Sequence, residues 1–278
     1  MASINKQECF SVALKLVKEA GNLVRDAIKK KKRIETKSSA VDLVTESDKA
    51  VEKLLISGLS SAFPDHKFIG EESVAAGGKC VLTDEPTWII DPIDGTMNFV
   101  HSFPYTCISV GLWVKKEAEV GIVYNAVLEQ MFTALKGQGA FLNNEKISVS
   151  GETELSQALI FSEIGSSLDP EKVDTVLTNI TTLIPKVHGC RTMGCAALHM
   201  AHVALGAADA NYSMGVHCWD IAAGCLLVQE AGGVVIDTAG GPFDLMRRRV
   251  LCASTQELAE KMAKLLKQYQ PERDGVTK

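Results

Sequence analysis

The sequence predicts a layered α plus β protein, and three observations carry that prediction. From residue 8 to about 30, apolar residues recur with helical period at Phe10, Ala13, Leu14, Val17, Gly21, Val24 and Ile28. From 105 to 147, β-rich segments follow one another, separated only by charged or Gly/Asn turns, which reads as an antiparallel meander. The second half then alternates strand and helix. Together these give one lobe built on an antiparallel sheet and a second, alternating lobe.

Taken in order, the first helix ends in the cluster Lys29-Lys30-Lys31-Lys32-Arg33, read as a solvated turn on the negative end of the helix dipole. A second helix is predicted from 45 to 61, with Val51, Leu54, Leu55 and Leu59 inward. Thr45 or Ser47 would cap it, and Asp48 falls in its first turn. Short strands follow at 67–69 and 88–90, then the meander strands 106–114, 119–124, 130–135 and 139–142. Beyond it come strand 159–163 and helix 170–183, opened by Asp169-Pro170 as cap and first position. Strand 186–190, helix 195–205, strand 208–212 and helix 219–231 continue the alternation, Gly232-Gly233 stopping the last. Strands 234–237 and 250–253 and a helix from 255 to about 269 close the chain. Arg247-Arg248-Arg249 reads as a solvated bend, and the polar tail 271–278 is expected to fray. With no repeat and no linker, residues 5–270 are expected to form one domain, with lobes over about 1–150 and 151–270.

At 278 residues, 46% hydrophobic and 23% charged, the composition is that of an ordinary globular protein. The net charge of −5 disfavours non-specific nucleic-acid binding. The N-terminus lacks the basic-then-apolar form of a secretory signal, and no apolar run reaches the roughly 18 residues of a membrane span. A cytoplasmic protein with no membrane partner is expected. The eight cysteines form no CxxC pair and are read as buried reduced thiols. The sequons at Asn179 and Asn211 mean little without a secretory route.

The most informative stretch is Trp88-Ile89-Ile90-Asp91-Pro92-Ile93-Asp94-Gly95-Thr96-Met97-Asn98-Phe99. An apolar strand ends in two carboxylates around a proline, and a Gly-Thr pair then opens a helix. In a plain strand Asp91 and Asp94 would face opposite ways; a turn at Pro92 would bring them to one side and free the Ile93 carbonyl. Two carboxylates and a carbonyl suit Mg²⁺, and the N–H groups of a helix start suit a phosphate. Equally, the aspartates could simply cap the helix. Gly70-Glu71-Glu72-Ser73 is either a solvated acidic loop or a pair of acids at the end of a strand. Asp220 could offset a helix dipole, but Ala222, Ala223 and Gly224 allow close backbone approach and so bring it near other elements. His217 is read as structural, as are His199 and His202 on their apolar helix. Asp48 could accept the Thr96 hydroxyl proton if the fold brings them together. There is no GxxxxGK[ST] phosphate loop, and Gly137-Gln138-Gly139 lacks the third glycine and the βαβ setting of a dinucleotide site.

Together, Gly70-Glu71-Glu72, the run from Asp91 to Phe99 and Trp219-Asp220-Ile221-Ala222-Ala223-Gly224 resemble the inositol monophosphatase family in order and spacing. The resemblance covers essentially residues 5–270. It implies an αβαβα sandwich of the inositol monophosphatase and fructose-1,6-bisphosphatase type, a homodimer, dependence on Mg²⁺ with Mn²⁺ as a substitute, and inhibition by lithium. By position it implies a first ion on Glu71, Asp91 and the Ile93 carbonyl, a second on Asp91, Asp94 and Asp220, and a weaker third leaning on Glu71. Glu71 and Thr96, with Asp48, would orient the attacking water. Substrate contacts would fall on Asp94, Gly95, Thr96, Gly194, Cys195, Ala196, Ser213 and Asp220.

Two positions, Met97 and Cys195, depart from the family pattern in ways the site would tolerate, because neighbouring backbone groups would do the binding. Ser213 matters more, because the inositol-specific animal enzymes carry a glutamate there that bonds sugar hydroxyls. Losing one charge-assisted contact is worth roughly 1.5–3 kcal/mol. Polyol selectivity should weaken while the metal chemistry stays. The expected activity is hydrolysis of inositol monophosphates, a small-molecule phosphate monoester. Fructose 1,6-bisphosphate, histidinol phosphate and adenosine 3′,5′-bisphosphate are the alternatives within the class, and a non-catalytic metal-binding scaffold is the alternative outside it.

Overall fold

The computed structural model describes residues 4–30, 34–36 and 43–276. In chain order its elements are α1 (Lys6–Ile28), β1 (Ile34–Thr36), β2 (Leu43–Thr45), α2 (Glu46–Ala62), β3 (Lys67–Gly70), α3 (Glu71–Ala75), β4 (Thr87–Asp94) and α4 (Thr96–Val100). The meander follows as β5 (Cys107–Val114), β6 (Glu117–Asn125), β7 (Gln130–Leu135), β8 (Ala140–Leu142) and β9 (Glu145–Ile147). The second half holds β10 (Leu159–Ser162), α5 (Pro170–Leu183), β11 (Gly189–Arg191), α6 (Ala196–Ala204), β12 (Ala210–Met214), α7 (Cys218–Glu230), β13 (Val234–Ile236), β14 (Arg249–Ala253) and α8 (Gln256–Ala263).

Strands β3 to β9 form a seven-stranded sheet in sequence order, parallel only between β3 and β4. A five-stranded sheet has the order β11-β10-β12-β14-β13. Helices α1 and α2 cover one face of the larger sheet, and α6 and α7 fill the space between the sheets. Helices α5 and α8 lie on the far side, where Leu183, Leu258 and Met262 pack with Ile160, Tyr212 and Leu251. The result is the αβαβα sandwich expected. Strand β4 shows why its sequence reads as a continuous apolar run: Trp88 and Ile90 enter the core under α1 and α2, whereas Ile89 enters the core under α7. Small residues let α7 approach closely. A Cβ on Gly121 would stand 2.7 Å from the Ala223 carbonyl oxygen, and one on Gly111 would stand 3.1 Å from Ala222 Cβ.

Several expectations are corrected. Strand β4 does not stop at Ile90 in a turn; it pairs with β5 as far as Asp94. The closing helix ends at Ala263 rather than near 269, because the Asn179 amide takes both the N–H and the carbonyl of Lys267 and holds that segment off helical geometry. The arginine run is not a solvated bend. Arg249 is buried in a two-pronged pair with Asp237, at 2.8 and 3.1 Å, and Arg248 donates to the carbonyls of Gly215 and Val216. Nor does the tail fray throughout, for Asp274 is docked against α7. Lys29 caps α1 at its C-terminus; Lys31, Lys32 and Arg33 lie outside the described residues. All eight cysteines are free, with Cys80 and Cys190 half-buried and the rest buried. Asn179 and Asn211 are both buried, which rules their sequons out as surface features. No helix among the described residues is long and apolar enough to cross a membrane.

Candidate active site

The site grows from an irregularity in β4. Pairing with β5 runs to Asp91 opposite Ser109 and resumes at Asp94 opposite Cys107, so Pro92 and Ile93 together face Ile108 alone. This is a bulge rather than the expected turn, and Pro92, lacking an N–H, is suited to the unpaired position. One extra residue makes positions three apart behave as positions two apart. Asp91 and Asp94 therefore share a face, as the sequence suggested, by a different route.

After the bulge, Asp91 Oδ1 accepts the Ile93 N–H at 3.0 Å. Gly95 takes a left-handed conformation (φ +85°), and a Cβ there would stand 3.0 Å from the Gly194 carbonyl oxygen, so glycine is required. The Thr96 hydroxyl lies 3.0 Å from the Ile93 carbonyl oxygen and 3.2 Å from Asp48 Oδ1. Asp48 is fully buried, and its other oxygen accepts the N–H and hydroxyl of Thr45 at 2.9 and 2.5 Å, a capping box that fixes the carboxylate.

Glu71 is the first residue of α3, whose opening N–H groups at Glu72 and Ser73 are taken at 2.8 Å by Glu52. Glu52 is buried, and a Cβ on Gly70 would collide with its carboxylate at 2.6 Å. Sequence reading overlooked Glu52. The signal was present: Asp48, Glu52, Leu55 and Leu59 form one stripe of α2, and an acid inside a buried stripe is engaged with something.

From the other face of the larger sheet, between the two sheets, come α6 and α7. Asp94 Oδ2 accepts the Ala197 N–H at 2.6 Å and the Cys195 thiol at 3.2 Å, so the Cys195 side chain is a contact in its own right. Asn98 donates to the carbonyls of Tyr105, Met193 and Gly194, tying the two loops together. Glu163, also overlooked, receives the Met193 and Gly194 N–H groups at 3.2 and 2.8 Å. Asp220 accepts the His217 N–H at 2.7 Å, so it caps the start of α7 as well as standing where an acid offsets the helix dipole, which was its simpler reading. The His217 ring is held by Asp274 and Arg248 and stacks on Trp219, so its structural reading stands. His199 is likewise a core residue, stacking on Phe161, and the half-buried His202 bonds the Leu198 carbonyl of its own helix.

Electrostatically the acids form one group. Asp91 is pushed well above the usual carboxylate range by burial and then by the charges of Glu71, Asp94 and Asp220. Asp94 rises to about 7 through burial and the charge of Asp220. Burial raises Asp220 as well, opposed by the His217 ring and N–H. Asp91, Asp94 and Asp220 have no salt bridge among the described residues. Mutually repelling, buried oxygen donors of this kind fit a hard divalent cation, which removes the repulsion that would otherwise hold protons on them.

Glu71, Ser213 and Asp220 line a cavity of about 1040 Å³, together with Glu163, Lys172, His217 and Arg248. Asp91, Asp94, Gly95, Thr96 and the Gly194-Cys195-Ala196 segment stand beyond its lining. Burial, and then the charge of Arg248, lower the pKa of Lys172.

The sequence matches the profile of the inositol monophosphatase family over residues 5–271. It is 52% identical to human inositol monophosphatase 1 over 270 residues, 96% of this chain and 97% of that protein. It is 50% identical to human inositol monophosphatase 2 over 269 residues, 96% of this chain and 93% of that one. Among solved structures, the extragenic suppressor protein SuhB of Bartonella henselae superposes with a TM-score of 0.82 at 31% identity, covering 92% of this chain and 97% of that one. An inositol monophosphatase from Anabaena gives a TM-score of 0.82 at 29% identity, covering 94% and 96%. Whole-length sequence matches and the same layered fold agree: the chain belongs to the inositol monophosphatase family.

Proposed function

We propose that this phosphatase hydrolyses inositol monophosphates to inositol and phosphate with Mg²⁺ as cofactor and Mn²⁺ able to replace it. The observation that carries the proposal is the convergence of Glu71, Asp91, Asp94 and Asp220, from three separate segments (α3, β4 and α7), into one set of mutually repelling acids. Glu71, Asp91 and the Ile93 carbonyl would hold one ion, Asp91, Asp94 and Asp220 a second, and Glu71 would support a weaker third. When bound, Mg²⁺ supplies a reactive water at neutral pH and offsets charge on the phosphate and the departing alkoxide.

The protein's own groups do the rest. Asp48, fixed by Thr45, can take the Thr96 proton and so turn a lone pair of that hydroxyl toward the attacking water. Proton transfer from the water then runs through Thr96 to Asp48, with Glu71 setting the angle of attack. N–H groups of Gly95 and Thr96 would bind phosphate oxygens, and Ser213, with Gly194-Cys195-Ala196, would line the polyol side. No covalent phosphoenzyme is needed. The reading is completed by a cytoplasmic homodimer, inhibited by lithium, with no nucleic-acid or membrane partner.

The deciding experiment is a panel of phosphate esters assayed with Mg²⁺ and again with chelator. Inositol 1-phosphate should be hydrolysed, and chelation should abolish turnover. If fructose 1,6-bisphosphate, histidinol phosphate and adenosine 3′,5′-bisphosphate were all cleaved far faster, the inositol assignment would fall. Inertness toward every ester would favour a metal-binding scaffold.

A further inference from the structure

The cavity contains a cation that the proposed reaction does not use. Lys172 stands in the first turn of α5, where the helix dipole disfavours a positive charge, and it is only 4% exposed. Its ammonium reaches over two glycines in the left-handed region, Gly165 (φ +73°) and Gly215 (φ +85°). A Cβ on either would stand 2.6 or 2.9 Å from Nζ, so both turns leave room for that group. Among the described residues no hydrogen bond or salt bridge engages Nζ; Glu163 and Asp220 act on it only at longer range.

Ser213 lines the same cavity, 1% exposed, and its hydroxyl has no hydrogen-bond partner. An unpaired buried ammonium and an unsatisfied buried hydroxyl are each costly. Two such donors on one cavity are accounted for when a ligand acceptor completes them. The ammonium is charged and can only donate, which calls for an anionic acceptor rather than a neutral polyol, and the hydroxyl is able to donate to the same acceptor.

We propose, on the reading of this site as a phosphomonoesterase, that Lys172 and Ser213 form a leaving-group subsite for a second phosphate, so that sugar or polyol bisphosphates are substrates. Lys172 contacts the phosphate that is not cleaved, and Ser213 donates to an oxygen of the same group. Arg248 commits Nε and Nη2 to the carbonyls of Val216 and Gly215 and to the His217 ring, and adds positive potential to the cavity. The competing role for Lys172 is to offset Glu163 and Asp220; that role would act on every substrate alike.

The test is the ratio of kcat/KM for fructose 1,6-bisphosphate to kcat/KM for inositol 1-phosphate, measured on the full chain with Mg²⁺. Lys172→Met should lower the ratio by about tenfold or more, the loss expected for a charge-assisted hydrogen bond. Lys172→Arg should recover part of it, and Ser213→Ala should lower it in the same direction. Thermal melting checks that each variant folds, and Ser213→Ala carries the test if Lys172→Met does not. An unchanged ratio in the folded variants, or a wild type that cleaves only the monophosphate, would overturn the subsite. Failure of the wild type on both esters would instead overturn the phosphomonoesterase reading beneath it.

Discussion

Asp94 Oδ2 receives the backbone N–H of Ala197 at 2.6 Å, a bond that fastens the end of β4 to the start of α6. The acid is thus fixed by an element from the other half of the chain before any ligand arrives. Its neighbours repel it, and the same group that anchors the site also destabilises it when charged.

That balance sets a pH dependence. In the folded chain Asp94 is raised from 3.8 to about 7, so between those values the folded state keeps a proton that the unfolded state has released. Raising the pH through this window costs metal-free stability, and above it the full repulsion is present. A divalent cation binds the charged form, so the rise in Tm on adding Mg²⁺ should be larger at pH 8 than at pH 5.5. Equal rises at the two pH values, measured by calorimetry, would contradict this.

Breaking the Thr96–Asp48 pair should remove turnover and spare the fold. Thr96→Val keeps the shape and deletes the hydroxyl; kcat should drop about 10²- to 10⁴-fold, the usual range for a lost proton-transfer group. Circular dichroism should be unchanged. A variant retaining more than a tenth of the activity would take Thr96 out of the reaction.

Glu52→Gln tests the support beneath Glu71. The glutamine can accept one of the two N–H bonds but lacks the charge that favours both, costing about 1–3 kcal/mol of stability. Since α3 begins at Glu71, Mg²⁺ affinity by titration calorimetry should fall as well. Unaltered affinity would mean that α3 keeps its position without this cap.

His199 makes the opposite pH prediction. Glu163 Oε1 lies 3.3 Å from His199 Nε2, yet neither ring nitrogen has a hydrogen-bond partner, and burial pulls the ring's pKa from 6.5 to about 3. The unfolded chain binds a proton between those values and the folded chain does not, so stability falls as pH drops from 6.5 toward 3. At pH 5 the loss is about 2 kcal/mol. His199→Phe should flatten this decline in urea midpoints between pH 7 and 5; an equally steep decline would assign it to other groups.

Much of this was legible in the sequence wherever a local rule governed the outcome. Asp169-Pro170 opens α5 and the helix closes at Leu183, both as read, because cap and first position are set by adjacent residues. The Asp91 and Asp94 pair was legible as chemistry but not as geometry, since nothing local distinguishes a bulge at Pro92 from a turn there. The residues that escaped reading act over long separations. Glu163 meets the loop before α6, Asn179 intercepts Lys267, and Arg249 pairs with Asp237 across the edge of the smaller sheet. Their types and positions on the page looked like ordinary surface polarity, and only tertiary proximity gave them partners.

Helix α7 is wedged between the sheets with Asp220 at its tip, and glycines of β5 and β6 set how near it lies to the larger sheet. It therefore works as a gauge block for the reaction centre. Padding Gly121 or Gly111 by a single methyl, far from any substrate, would shim Asp220 away from Asp91 and detune the catalyst mechanically, with every reacting group still present.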